Sequence, residues 1–136
     1  MTTAPAKVCL VVHRTVDGNL ELLAFRHPSA GNQFVKGTIA PNEDVQAAAL
    51  RELREESGLT TTSATRYLGP DLIGNPAALW HFYAIEDDTL PQNWDYRTED
   101  DFGHVFSFFW HPITQDLDQQ WHAIFHEALE SIRRTI

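Results

Sequence analysis

The run GTIAPNEDVQAAALRELREESGL, from Gly37 to Leu59, constrains this chain more than any other segment. Within it Glu52, Glu55 and Glu56 stand at i, i+3 and i+4, a spacing that sets three carboxylates on one side of a helix turn. Leu50 and Leu53 point to another side and suit a core-facing stripe. Three like charges so close repel unless a cation stands among them, and an all-carboxylate set suits a hard divalent ion, Mg²⁺ or Mn²⁺. The helix is predicted from about Glu43 to Ser57, with Asn42 able to cap it and Glu43 and Asp44 in a first turn where the macrodipole favours negative charge. Gly58 suits the left-handed position that ends a helix. Ala48, four residues before Glu52, leaves room beside the carboxylates. Arg51, four residues before Glu55, can hold that side chain by a charge-assisted hydrogen bond. A plain solvated acidic face balanced by Arg51 and Arg54 would leave Gly37, Glu43 and Gly58 without a reason.

Around this helix the chain alternates strand-like and turn-like segments. Lys7–Arg14 and Leu20–Arg26 read as strands joined by the turn Val16-Asp17-Gly18-Asn19. His27 to Asn32 reads as a loop, followed by the short apolar link Gln33-Phe34-Val35. Thr60–Leu68 is rich in Thr and fits a strand, with Gly69-Pro70 and Gly74-Asn75-Pro76 as breaks. Ala77–Ile85 reads as a strand with Leu79, His81, Tyr83 and Ile85 on one face and Trp80, Phe82 and Ala84 on the other. Glu86–Asp101 is acidic and loop-like, and His104–His111 is an aromatic strand ended by Pro112. Trp121, Ile124, Phe125, Ala128, Leu129 and Ile132 recur at helical spacing and predict an amphipathic terminal helix. With 136 residues and no repeat, low-complexity tract or linker, a single domain over 1–136 is expected.

Charge and cysteine usage narrow the function. A net charge of -9 disfavours a surface that coats nucleic acid. It leaves room for a phosphorylated small molecule, because a bound metal inverts the local field. Cys9, the sole cysteine, falls in an apolar run and reads as a buried thiol rather than a nucleophile. The lack of any intramolecular disulfide fits a reducing cytoplasm. No apolar run approaches the length of a membrane span, and MTTAPAKVCLVV lacks a signal-peptide cleavage pattern. His13, His27, His81, His104 and His111 show no compact ligand spacing. His122 and His126, at i and i+4, read as an exposed helical face before they read as a zinc pair.

The run from Gly37 resembles the Nudix box, GX5EX7REUXEEXGU with U aliphatic. Gly37, Glu43, Arg51, Glu52, Leu53, Glu55, Glu56, Gly58 and Leu59 fill every fixed position, and Asn42 stands where many relatives carry Gly. The resemblance implies an α/β/α sandwich, a mixed sheet between helices. It also implies a Mg²⁺-dependent hydrolase that cleaves a diphosphate bond in a nucleoside diphosphate linked to another moiety. Glu52, Glu55 and Glu56 would be metal ligands, joined by the backbone carbonyl of Lys36, with Glu43 and Arg51 as supports. As substrate contacts, Lys36 can place its ammonium near a phosphate, with a solvated lysine the equal alternative, and Phe34 can stack a base. Phe34-Val35-Lys36-Gly37 resembles the aromatic-Pro-Lys-Gly of members acting on dinucleoside polyphosphates, with Val35 in place of the proline.

Glu52 is the first choice for general base; Glu99, Asp100, Asp101 and His104 stay open because relatives often recruit that group from the corresponding loop. Phe34, Trp80, Tyr83 and Trp94 are read first as core, and Trp94 and Tyr96, in a polar stretch, as the best candidates to stack a base. Two other readings belong to the same fold. One is a module that senses a nucleotide without cleaving it, and sensors tend to lose box carboxylates that this chain keeps. The other is an isoprenoid diphosphate isomerase, whose catalytic cysteine Cys9 does not suit. The expected partner is a small-molecule nucleotide, with no membrane and no nucleic acid, and a homodimer would match many family members.

Overall fold

The computed structural model describes residues 5–61, 63–99 and 103–136. β1 (Lys7–Val16) is covered on both faces over Val8–Val12, as an apolar central strand requires. It turns at Asp17-Gly18 into β2 (Asn19–His27), pairing antiparallel from Val16–Asn19 back to His13–Leu22. Beyond that point β3 (Gly31–Gln33) pairs with β2 and β4 (Lys36–Thr38) pairs with β1. Between them Leu10 N–H donates to the Val35 carbonyl at 3.1 Å. The segment that leads into the carboxylate helix is thereby delivered to the middle of the sheet rather than to its rim.

β5 (Arg66–Ile73), β6 (Ala78–Glu86), β7 (Trp94–Arg97) and β8 (Val105–Pro112) complete an eight-stranded sheet whose main path runs β5-β6-β1-β2-β8-β7. β6 lies parallel to β1 and the other pairs are antiparallel, so the sheet is mixed. Alternation along the strands divides the core. Val8, Leu10 and Val12 join Leu23, Phe25 and Phe108 under α1 (Val45–Ser57), through Ala48, Ala49 and Leu53. Cys9 and Val11 join Phe34, Trp80 and Phe82 under α2 (Ile124–Thr135), through Phe125, Ala128, Leu129 and Ile132. Each large apolar side chain fully buried this way contributes roughly 1.5–3 kcal/mol. The expected α/β/α sandwich is therefore observed.

Four local expectations are corrected. The helix starts at Val45, and its N-cap is Asp44, whose Oδ2 accepts from Ala47 N–H at 3.0 Å. Asn42 instead takes a left-handed φ of 63°, and Glu43 N–H closes a turn onto the Ala40 carbonyl at 3.1 Å, which holds Glu43 outside the helix. β5 begins at Arg66, not Thr60, and runs through Gly69-Pro70. A proline without an N–H is tolerated there because β5 is an edge strand, bulged between Tyr67 and Gly69. The acidic stretch hides β7, in which Trp94 and Tyr96 face the core in strict alternation with Asp95 and Arg97. Finally, Trp121 and His122 precede α2, and Trp121 bridges to Asn32. Among the described residues no helix is long and apolar enough to cross a membrane.

Candidate active site

Arg51 organises the acidic side of α1. Its Nε and Nη2 donate to the two oxygens of Glu43 at 2.7 and 2.9 Å, a bidentate pair. Nη2 also donates to the Thr38 carbonyl at 3.0 Å, tying the helix to the end of β4. Nη1 donates to Glu52 at 2.8 Å and to Glu55 at 3.0 Å. The hydrogen bonds from Arg51, then the Ala40 N–H, hold the Glu43 carboxyl down to about 2. The same bond to Glu43 raises the proton affinity of Arg51, so the guanidinium is a fixed positive centre among carboxylates.

Glu52 and Glu56 meet the segment before the helix. Gly37 is the register partner of Val8, so its missing side chain would point toward α1. A Cβ there would lie 1.9 Å from the carboxyl carbon of Glu52, so only glycine lets this carboxylate lie against the backbone. Lys36 N–H donates to Glu56 Oε1 at 2.9 Å. Burial pushes the Glu56 carboxyl well above the usual carboxylate range, outweighing that N–H. Burial also raises Glu52, against the pull of Arg51.

The remaining sequence candidates divide. Glu99 lines a recess of about 160 Å³ with Arg54, Glu55 and Tyr96, which brings one loop candidate beside a box glutamate. His104 packs edge-on against His27 at 5.0 Å, and Asp100 and Asp101 lie outside the described residues. Phe34 is 1 % exposed and packs on Trp121 and Phe125, so its expected contact with substrate is withdrawn. Lys36 is the partner of Cys9, whose side chain faces α2, and its ammonium accordingly lies over the Trp80 and Phe125 rings at 5.4 and 5.7 Å. Its side chain thus lies on the α2 side of the sheet, while its backbone stays with Glu56. Trp94 stacks on Phe108 at 4.8 Å and is core. Tyr96 covers Gly58 and edges the Glu55 recess. Burial drives the Cys9 thiol far above its normal range, as befits an inert core group.

The donor set suits a hard divalent cation. All three groups are carboxylates, Glu52 has a cradle that a Cβ would fill, and Glu56 is ionised only against the cost of burial. A cation would relieve that cost, so the chemistry fits. Among the described residues no three His, Cys, Asp or Glu groups already form a closed cage. The reason is visible: Glu52 and Glu55 are turned to Arg51, and Glu56 to the Lys36 amide. Sequence reading missed the Thr38 carbonyl and the Lys36 N–H as anchors, since backbone groups leave no trace in residue type.

Comparison with known proteins gives the same class as this geometry. The chain matches the NUDIX domain over residues 3–129. It belongs to the Nudix family. No curated protein sequence matches it significantly. Among solved structures, it is similar to the NUDIX domain of NrtR from Shewanella oneidensis complexed with ADP ribose, with a TM-score of 0.70 and 16% identity over 98% of this chain and 89% of that one. It is similar to the Ap4A hydrolase of C. elegans, with a TM-score of 0.65 and 16% identity over 97% and 98% of the two chains. It is also similar to the pyrophosphohydrolase BsRppH of Bacillus subtilis, with a TM-score of 0.62 and 18% identity over 98% and 84%. At such identities the likeness establishes the fold.

Proposed function

We propose that this protein is a Nudix pyrophosphohydrolase. With Mg²⁺, or Mn²⁺ in its place, it hydrolyses a diphosphate bond in a nucleoside diphosphate linked to another moiety, nucleoside and dinucleoside polyphosphates being the leading substrates. The observation that carries this reading is the grouping of Glu52, Glu55 and Glu56 on α1 around Arg51, with Glu52 lodged against Gly37. These three carboxylates, with the Lys36 carbonyl, are the residues that would hold the cation. When bound, it supplies charge neutralisation at phosphate oxygens and a more acidic water. Arg51 and Glu43 keep Glu52 and Glu55 oriented, and Glu52 takes the proton from the attacking water as general base. Glu99, in the recess with Glu55, is the alternative base. The likeness to an Ap4A hydrolase and a pyrophosphohydrolase supports cleavage of such bonds.

A second reading, nucleotide sensing without cleavage, draws on the likeness to a domain complexed with ADP ribose. The complete carboxylate set weighs against it. A panel of nucleoside triphosphates, dinucleoside polyphosphates, nucleotide sugars, dinucleotide cofactors and capped RNA, assayed with Mg²⁺, separates the two. Turnover of at least one member is expected, and Glu55→Gln and Glu56→Gln should each lower the rate by orders of magnitude. Tight binding of a nucleotide with no turnover of any would replace hydrolase by sensor. Full activity in Glu56→Gln, or in excess chelator, would sink the metal assignment.

A further inference from the structure

Three of the four large apolar side chains exposed among the described residues, Leu72, Tyr67 and Leu79 at 64 %, 48 % and 39 %, stand on one face of the β5–β6 hairpin. The register puts them there. Tyr67 is paired with Tyr83, Pro70 with His81 and Leu72 with Leu79, and residues directly opposite on antiparallel strands project from the same side. The bulge between Tyr67 and Gly69 returns Pro70 to the side of Tyr67. Tyr83 packs against the core under α1, which assigns the face to that side of the sheet. The opposite face of the hairpin is covered, since Leu68, Ile73, Ala78, Trp80 and Phe82 pack beneath α2.

What these six residues turn outward is ring and aliphatic surface. The Tyr67 hydroxyl and His81 Nδ1 are hydrogen-bonded to each other at 2.8 Å, and the Tyr67 and Tyr83 rings meet at 5.0 Å. None of the six is Asp, Glu, Lys or Arg, in a chain of net charge -9. β5 is an edge strand, yet its free edge is a poor template for another strand, because Pro70 lacks an N–H and the bulge breaks the ladder. A partner therefore docks on the face of this hairpin and not along its edge.

Charge and layout select the occupant. Nucleic acid would need cations that the face lacks. A basic partner would be drawn to the acidic remainder of the chain before it met six uncharged side chains. A second copy of this chain is itself acidic and approaches without like-charge contact only across an uncharged face. The layout is also self-complementary. A two-fold axis through the central Pro70–His81 pair lays the leucine end of one copy on the tyrosine end of the other. Aliphatic surface then meets aromatic surface, the composition that marks the buried centre of interfaces. We propose that two copies of the chain associate through this face, as a two-fold dimer centred on Pro70 and His81. Six side chains are fewer than the roughly 20–30 residues a side of a standard interface, so they form its core and the dimer is weak and concentration-dependent. The face contains none of the box carboxylates, so the dimer stands or falls apart from the hydrolase reading.

Sedimentation velocity of the full-length protein from about 5 to about 500 µM should show a monomer–dimer equilibrium. Raising the salt from about 50 to about 500 mM should tighten it, because repulsion between acidic copies is screened and no ion pair is lost. Leu72→Lys and Leu79→Lys, at exposed positions, should each weaken the dimer at least about tenfold, the two-fold axis counting each substitution twice. Tyr67→Ser serves if a lysine variant fails to fold. Val16→Lys, at the fourth exposed apolar position and away from this face, should leave the dimer unchanged. In NMR spectra the methyl signals of Leu72 and Leu79 should shift as protein concentration rises. A monomer throughout the range would overturn the proposal, as would a dimer that the lysine variants leave intact or that salt dissociates. Methyl shifts produced at low protein concentration by added adenosine, in place of self-association, would mark a ligand face and overturn it too.

Discussion

Gly37 and Glu43 matter to this site for opposite reasons. Gly37 contributes by having no side chain, and Gly37→Ala is expected to push the Glu52 carboxylate off the backbone, the Cβ otherwise lying 1.9 Å from it. Activity should drop at least about tenfold, because misplacing a reacting group by an ångström can cost about a hundredfold. Circular dichroism should stay native, and a fully active Gly37→Ala variant would refute the close packing. Glu43 contributes through charge. Its carboxyl is held at about 2 against an ordinary value of 4.5, so the stabilisation it gives is complete above about 4.5 and is lost as pH falls toward about 2. The difference in thermal midpoint between the wild type and Glu43→Gln should therefore be largest near neutral pH and shrink through that acid window. A difference independent of pH would mean the Glu43–Arg51 pair carries none of it. The residues of this cluster were legible in the sequence because helical periodicity alone sets Glu52, Glu55, Glu56 and Arg51 together. Lys36 and Phe34 were not, because a non-local strand pairing decides which face they take.

Elements were readable where their signal was local. The central strands, the Asp17-Gly18 hairpin and the aromatic strand β8 stand close to where the pattern set them. The short β7 was hidden because charged residues fill its solvent-facing positions, and β5 because its proline is harmless only on an edge that sequence does not reveal. The end of α1 was legible and can be tested. Gly58 has a φ of 75° and donates its N–H to the Arg54 carbonyl at 2.9 Å, and Tyr96 closes over it. Gly58→Ala combines the left-handed penalty of roughly 1–2 kcal/mol with a Cβ 2.5 Å from the Tyr96 ring. Thermal or urea unfolding should show a loss of at least about 1 kcal/mol. An unchanged midpoint would mean that Tyr96 swings away at no cost.

At the scale of the molecule, two helices cover opposite faces of one sheet, and the acidic cluster is built against the electrostatic cost of burying Glu56. A ligand that favours the folded form adds stability as RT ln(1 + [L]/Kd), about 2.7 kcal/mol at one hundred times Kd. Mg²⁺ or Mn²⁺ should accordingly raise the melting temperature of the wild type in a concentration-dependent way. It should do so far less for Glu56→Gln, and an equal rise in both would place the ion elsewhere. The sandwich itself was foreseeable from the order of strands and helices together with the box. The parting of β1 and β2 around β3 and β4 was not, since it depends on pairing between segments distant in sequence.

Lys36 belongs to both halves of the molecule, its amide holding Glu56 on the α1 side and its ammonium resting on Trp80 and Phe125 on the α2 side. The two faces are consequently not free to diverge independently over evolutionary time. A descendant that exchanged Phe125 for an aliphatic side chain would loosen a lysine stem whose other end sets the backbone beneath the Glu56 carboxylate. Substitutions on the far helix and changes at residue 36 should thus be inherited as compensating pairs.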